Sequence, residues 1–342
     1  MAQKARKSSS AIKARKKIRK SNRNEGVLFT LKLDRTDWRR LAVFITLFAF
    51  LIGLGSGYLL WDRQDAPPAA DAIENTGEDE HAAHSALGEQ VNPPEGYTLQ
   101  FGFGDIGPQL LLSGAIDRDA FVQLYEKAKR PLDETQLAIL EQGSETQIVL
   151  NKQNAYFLLN FFWAFGLVNH NTILIEGPMT QNGENQIGRF ASTGGWTLGS
   201  KPAMELYAST PILTLTAAQQ QRLEEVASEV YRPCCNNPTH FPDCNHGMAM
   251  LGLLELMASQ DASTKDMFVA AKYANAFWYP TQSIELAQFF KSTQNMDFAN
   301  VDSQELVSRN YSSASGFKAV HEWLANNGQL PQTPGSGSSC GV

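Results

Sequence analysis

The sequence predicts a mainly α protein: one N-terminal transmembrane helix followed by a tethered, mostly helical extracytoplasmic domain with minor extended segments. Three observations carry this. Leu41 to Trp61 is an uncharged apolar run of 21 residues. The charge on its two sides is opposite: residues 1–40 hold 14 Lys+Arg and 3 Asp+Glu, a net of +11, whereas residues 62–342 hold 15 and 32, a net of −17. After residue 97, capping residues and apolar positions recur at helical spacing.

Residues 1–37 read as a basic cytoplasmic tail, of which residues 1–26, Ser-rich and almost free of large apolar groups, cannot bury enough surface to order themselves. No aromatic residue interleaves its charges before Phe29, which disfavours nucleic-acid binding. Residues 38–61 read as a signal-anchor helix. At about 1.5 Å rise per residue, about 20 residues cross the roughly 30 Å hydrocarbon layer. Trp38 and Trp61 bracket the run, as aromatic rings do at the interface. The basic side is expected to stay in the cytoplasm, leaving the larger part of the chain outside it at the cell membrane. The run is long for a signal peptide and no small-residue cleavage pattern follows it.

Residues 62–96 read as a Pro/Ala/acidic linker. Its His81 and His84, beside Glu78, Asp79 and Glu80, are read as solvated linker sequence rather than a metal pair. The globular domain is expected over 97–328, with a flexible Gly/Ser tail at 329–342 that carries Cys340.

Within the domain, YTLQF and the LLLSG around Leu112 read as short extended segments. Ile116 to Ala128 has helical spacing and stops at Pro131. Asp133 caps a further helix that ends at Gly143. Asn154 to Val168 is apolar on nearly every face and too short to span a bilayer, so it belongs at the centre of a bundle. Its Asn160 then needs an internal partner. Ile173 to Ser200 is rich in Gly and Asn and reads as a structured connection, with a tight turn at Gly194-Gly195 and Trp196 packed nearby. Thr216 and Gln219 form a capping box for a helix to about Tyr231, broken by Pro233. Further helices are expected from Gly247, at Thr264–Ala276, at Ser283–Phe290 and at Ser315–Asn326.

The densest chemistry lies between Tyr231 and Met257. Cys234, Cys235, Cys244 and His246 form a C-C-x8-C-x-H pattern, followed by Met248 and Met250. Three thiolates and an imidazole match tetrahedral zinc. Thiolates with the Met thioethers suit copper as Cu(I), a soft ion. Cys244 and His246 precede a helix, whose N-terminal amides favour the thiolate. The expected ligands are Cys234, Cys235, Cys244 and His246, with Met248 as a fifth. The expected role is metal handling or metal-stabilised binding.

A different class of reading keeps the same cysteines as a disulfide staple in a non-enzymatic envelope module that binds a partner protein. Spacing cannot choose between the two. Adjacent cysteines suit two independent disulfides poorly, and soft ligands accumulate here beyond what a staple needs, which favours the metal. A vicinal Cys234–Cys235 redox pair is a third reading, with no base or cofactor site to accompany it. The chain holds no C-x-x-C, no C-x-x-C-H for covalent haem, no nucleotide-binding fingerprint and no common hydrolase signature. The balance leans away from an enzyme.

Overall fold

The structure, a computed structural model, describes residues 86–181 and 183–331. The basic tail, the 41–61 run, most of the expected linker, both linker histidines and Cys340 lie outside them. Among the described residues no helix is long and apolar enough to cross a membrane.

The linker expected to reach residue 96 gives way earlier. Residues 86–91 are helical, Leu87 and Val91 are buried one turn apart, and Asn92 Nδ2 donates to Ala276 O at 2.9 Å. Two apolar residues at i and i+4 are enough to dock this turn on the core.

Strands β1 (Tyr97–Gly104) and β2 (Ser144–Leu150) pair antiparallel, with Tyr97 opposite Leu150 and Gly104 opposite Ser144. Between them run α1 (Ile106–Ser113), α2 (Arg118–Lys127) and α3 (Glu134–Gln142). Leu110 to Ser113, expected to be extended, is therefore helical. Gly114 ends it at φ 79°, and Gly107 sits so close to the Ile139 carbonyl that a Cβ would collide with it. The cap expected at Asp133 forms, as a full capping box with Gln136, and Asp117 adds one to α2 by accepting from Ala120 N.

The centre is α4 (Ala155–Val168) crossed by α6 (Asn245–Ser259). Helix α4 is buried along its length, as its all-round apolar sequence requires, apart from half-buried Tyr156. Its Asn160 donates to the Tyr125 hydroxyl at 2.9 Å. The two backbones meet at Gly166 and Gly252. A Cβ on Gly252 would strike the Phe162 carbonyl, and one on Gly166 would strike the Met248 carbonyl.

Around this pair stand α5 (Ala217–Glu229), α7 (Thr264–Trp278), α8 (Pro280–Gln294) and α9 (Ala314–Asn326). Thr216 and Gln219 cap α5 reciprocally. The Gly/Asn-rich stretch before α5 is a chain of single helical turns, among them Thr172–Ile175, Ala191–Gly194 and Ala203–Leu206. It is anchored by Trp196, whose Nε1 donates to Ala115 O at 2.8 Å.

Candidate metal centre

The loop between α5 and α6 is fastened on three sides. Thr239 N donates to Val230 O and His240 N to Ala227 O, tying it to the end of α5. Ala314 N donates to Cys235 O and Ser315 N to Asn236 Oδ1, tying it to the start of α9. Asn275 Nδ2 of α7 holds Tyr231 O at 2.9 Å. Helix α5 ends at Glu229 with Val230 extended, earlier than the expected break at Pro233, and the chain turns back so that residues ten apart meet.

Cys234, Cys235 and Cys244 converge there as free thiols, their sulfurs all within 4.8 Å of one another. The Cys234 and Cys244 sulfurs are 3.3 Å apart. Cys244 is the N-cap residue of α6, and its sulfur accepts from Gly247 N at 3.4 Å. Arg232 Nε donates to the same sulfur at 3.0 Å. That guanidinium is buried, and its other donors reach Asn237 O at 2.9 Å, Phe241 O at 3.3 Å and Asp243 Oδ1 at 2.7 Å. Asn237 Nδ2 in turn donates to Asp243 Oδ2 at 2.7 Å.

These contacts divide the protons unequally. Hydrogen bonds from Cys234 and Cys235, then the Arg232 charge, hold the Cys244 thiol well below its ordinary pKa against the effect of burial. Cys234 is raised by its hydrogen bonds to Cys235 and Cys244 and by burial. For Cys235 the bond from Cys234 lowers the pKa, but its bond to Cys244 and burial outweigh it and leave the thiol up at about 11. The centre thus sets one thiol of lowered pKa, Cys244, beside two of raised pKa, beneath a guanidinium and a helix N-terminus. Burial pulls the Arg232 pKa down, and the neighbouring sulfurs more than offset it.

Of the residues expected from sequence, the three cysteines come together and the other two stand apart. His246 is not within that 4.8 Å group. Its ring lies 4.5 Å from the Tyr279 ring, Nδ1 is 2.9 Å from Asn245 Oδ1, and burial lowers its pKa to about 4. Cys244 caps the helix from outside, whereas His246 is already in its first turn, and residues two apart on a helix do not share a face. Met248 is fully buried in the apolar core.

Two neighbours were not foreseen. Arg232 was hidden because a lone Arg beside a proline carries no sequence signal of burial. Tyr279 joins α7 to α8. Its buried hydroxyl has no nitrogen or oxygen partner among the described residues, and its pKa is raised first by burial and then by Cys234 and Cys244.

A zinc–thiolate bond of about 2.3 Å implies tetrahedral sulfurs about 3.8 Å apart, so a group gathered within 4.8 Å suits one ion. No family model, curated protein or solved structure matches the chain.

Proposed function

We propose that this is a single-pass membrane protein whose extracytoplasmic helical domain holds one thiophilic cation, Cu(I) or Zn(II), on Cys234, Cys235 and Cys244, for metal handling or metal-stabilised binding. The observation that carries the reading is Arg232. Three thiolates around a mono- or divalent cation bear net negative charge, and a buried guanidinium with Nε on the Cys244 sulfur offsets it. A disulfide is neutral and needs no such partner. An all-sulfur set favours the softer Cu(I). Zinc would need a fourth ligand, for which the unpartnered Tyr279 hydroxyl and solvent at exposed Cys234 are at hand. The 41–61 run supplies the anchor, and the basic tail sets the orientation.

The test is elemental analysis of the full chain, purified in detergent under reducing conditions without chelator. One equivalent of copper or zinc is expected, lost in Cys244→Ser. Unchanged stoichiometry in that variant would sink the reading. The anchor is tested by alkaline extraction of membranes: release of the chain into the soluble fraction would remove it.

One observation favours a second reading. The Cys234 and Cys244 sulfurs need only a small closure from 3.3 Å to form a disulfide. That envelope module would contain no metal and would be lighter by two hydrogens before reduction.

A further inference from the structure

A pocket of about 430 Å3 opens beside the thiol centre and shares Asn245 and His246 with its loop and helix. It lies between the turn after α2, the start of α4 and the C-terminal end of α7. Tyr156, Phe277 and Trp278 give it aromatic walls, and the size suits a small organic ligand. No carboxylate lines it among the described residues. Its charged residues are Arg130 and Lys152, both exposed, and neither makes an ion pair among the described residues. This is a local basic site on a strongly acidic domain.

The backbone brings both cations to this rim. After α2, Arg130 N donates to Tyr125 O at 2.9 Å and Lys129 N to Glu126 O at 3.0 Å, with Lys129 at φ 56°. This is a Schellman turn, but with lysine in the left-handed position where glycine normally stands. Lys152 sits in a turn tied at both ends. Asn151 Oδ1 accepts from Gln153 N and Asn154 N, while Asn154 Nδ2 donates to Val149 O.

That turn uses up the natural cap of α4. The Asn154 side chain serves the turn, so α4 has no side-chain cap and no acidic residue in its first turn. The Tyr156 and Phe157 amides have no hydrogen-bond acceptor among the described residues. An N-terminus without a side-chain cap, on a 14-residue helix, therefore opens where two cations stand that have no ion-pair partner among the described residues. Bare helix N-termini attract anions through these same amides.

We infer that this pocket binds a small organic anion with a flat apolar body. Its carboxylate or phosphate lies between Arg130, Lys152 and the first turn of α4, and its body lies against Tyr156 and Trp278. The inference does not rest on the metal, and the two fail separately: the anion is tested on metal-free and metal-loaded protein alike.

The experiment uses the full chain in lipid nanodiscs, with empty nanodiscs as the blank. 2-Naphthoate is titrated by calorimetry, with uncharged 2-naphthamide and inorganic phosphate as comparators. Saturable one-site binding of naphthoate is expected, weakened by added salt. Because a charge-assisted hydrogen bond contributes about 1.5–3 kcal/mol, R130A/K152A should weaken it at least about tenfold. The amide should bind more weakly by a similar factor. Phosphate should compete, but only at higher concentration, since it lacks the apolar body. No saturable binding, equal affinity for the amide, or wild-type affinity in the double variant would each overturn the inference. Both substituted side chains are exposed, so loss of fold is not expected to confuse the result.

Discussion

Arg232 Nε lies 3.0 Å from the Cys244 sulfur, and Gly247 leaves the space that lets it do so. A Cβ at residue 247 would run into the guanidinium. An exposed arginine would swing aside, but this one is buried and held by bonds to Asn237, Phe241 and Asp243. Removing one partner of a buried ion pair costs about 3–5 kcal/mol. Arg232→Met should therefore lower unfolding stability by about that much in urea titrations and lose the metal. Arg232→Lys should recover little, since an ammonium cannot serve the four acceptors of a planar fork. Gly247→Ala sets a helix-propensity gain of about 1 kcal/mol against overpacking of about 1–3 kcal/mol, so its net effect on stability is small or negative. Its clearer signature is weaker metal retention in a folded protein. A variant at 247 that keeps full metal affinity would show that the guanidinium contact is dispensable.

The ligand set separates cleanly by substitution. Cys234→Ser, Cys235→Ser and Cys244→Ser should each reduce bound metal well below one equivalent. His246→Ala removes a ring packed on Tyr279 and Trp278, so it should lower stability while leaving stoichiometry intact. Met248→Leu is a near-isosteric core exchange, expected to cost less than about 1.5 kcal/mol and no metal. Elemental analysis of the five variants reads this directly. Loss of metal in folded His246→Ala would bring the histidine back into the coordination set.

What the sequence disclosed and what it hid follow physical lines. Local chemistry was legible: Asp133, and Thr216 with Gln219, announce their helices because a cap involves residues only three apart. The all-apolar Asn154–Val168 run could only be central. Long-range choices were not legible. Leu110 to Leu112 is too short an apolar run to separate strand from helix, and its close packing on α3 decides the matter. Strand β2 escaped notice because its first four residues face solvent or lie half-buried, leaving only Ile148 and Leu150 as apolar anchors in the core. At the centre, spacing gathered three cysteines correctly but said nothing of which way His246 turns.

The crossing of α4 and α6 tolerates no side chain at its closest point. A Cβ on Gly252 would meet the Phe162 carbonyl and the Gly166 amide, which are backbone atoms held in their own helix. Alanine improves helix propensity by about 1 kcal/mol, but separating two helices in a close-packed core costs more. Gly252→Ala and Gly166→Ala should each destabilise the domain by about 2 kcal/mol or more, measured as a shift in urea midpoint. A neutral result at either position would mean the helices slide apart readily.

Glu255 gives the domain a pH dependence whose sign can be stated. It is fully buried on α6; Oε2 accepts from Asn169 Nδ2 at 2.9 Å, and Oε1 has no partner. Burial raises its pKa well above the ordinary carboxylate value, and the Asn169 bond offsets only part of that. The folded state therefore keeps a proton that the unfolded chain releases once pH passes the ordinary carboxyl range. Wherever the native state binds more protons, stability falls as pH rises. Glu255→Gln retains an acceptor for Asn169 and cannot ionise, so it lacks this loss. The two proteins should be closest in stability below about pH 3, where residue 255 is neutral in both the folded and the unfolded state. The glutamine variant should gain steadily on the wild type as pH is raised towards neutrality. Taking the difference between the two unfolding curves cancels every other titrating group. Parallel curves would mean that Glu255 is already ionised inside the fold, and that Asn169 alone supports a buried charge.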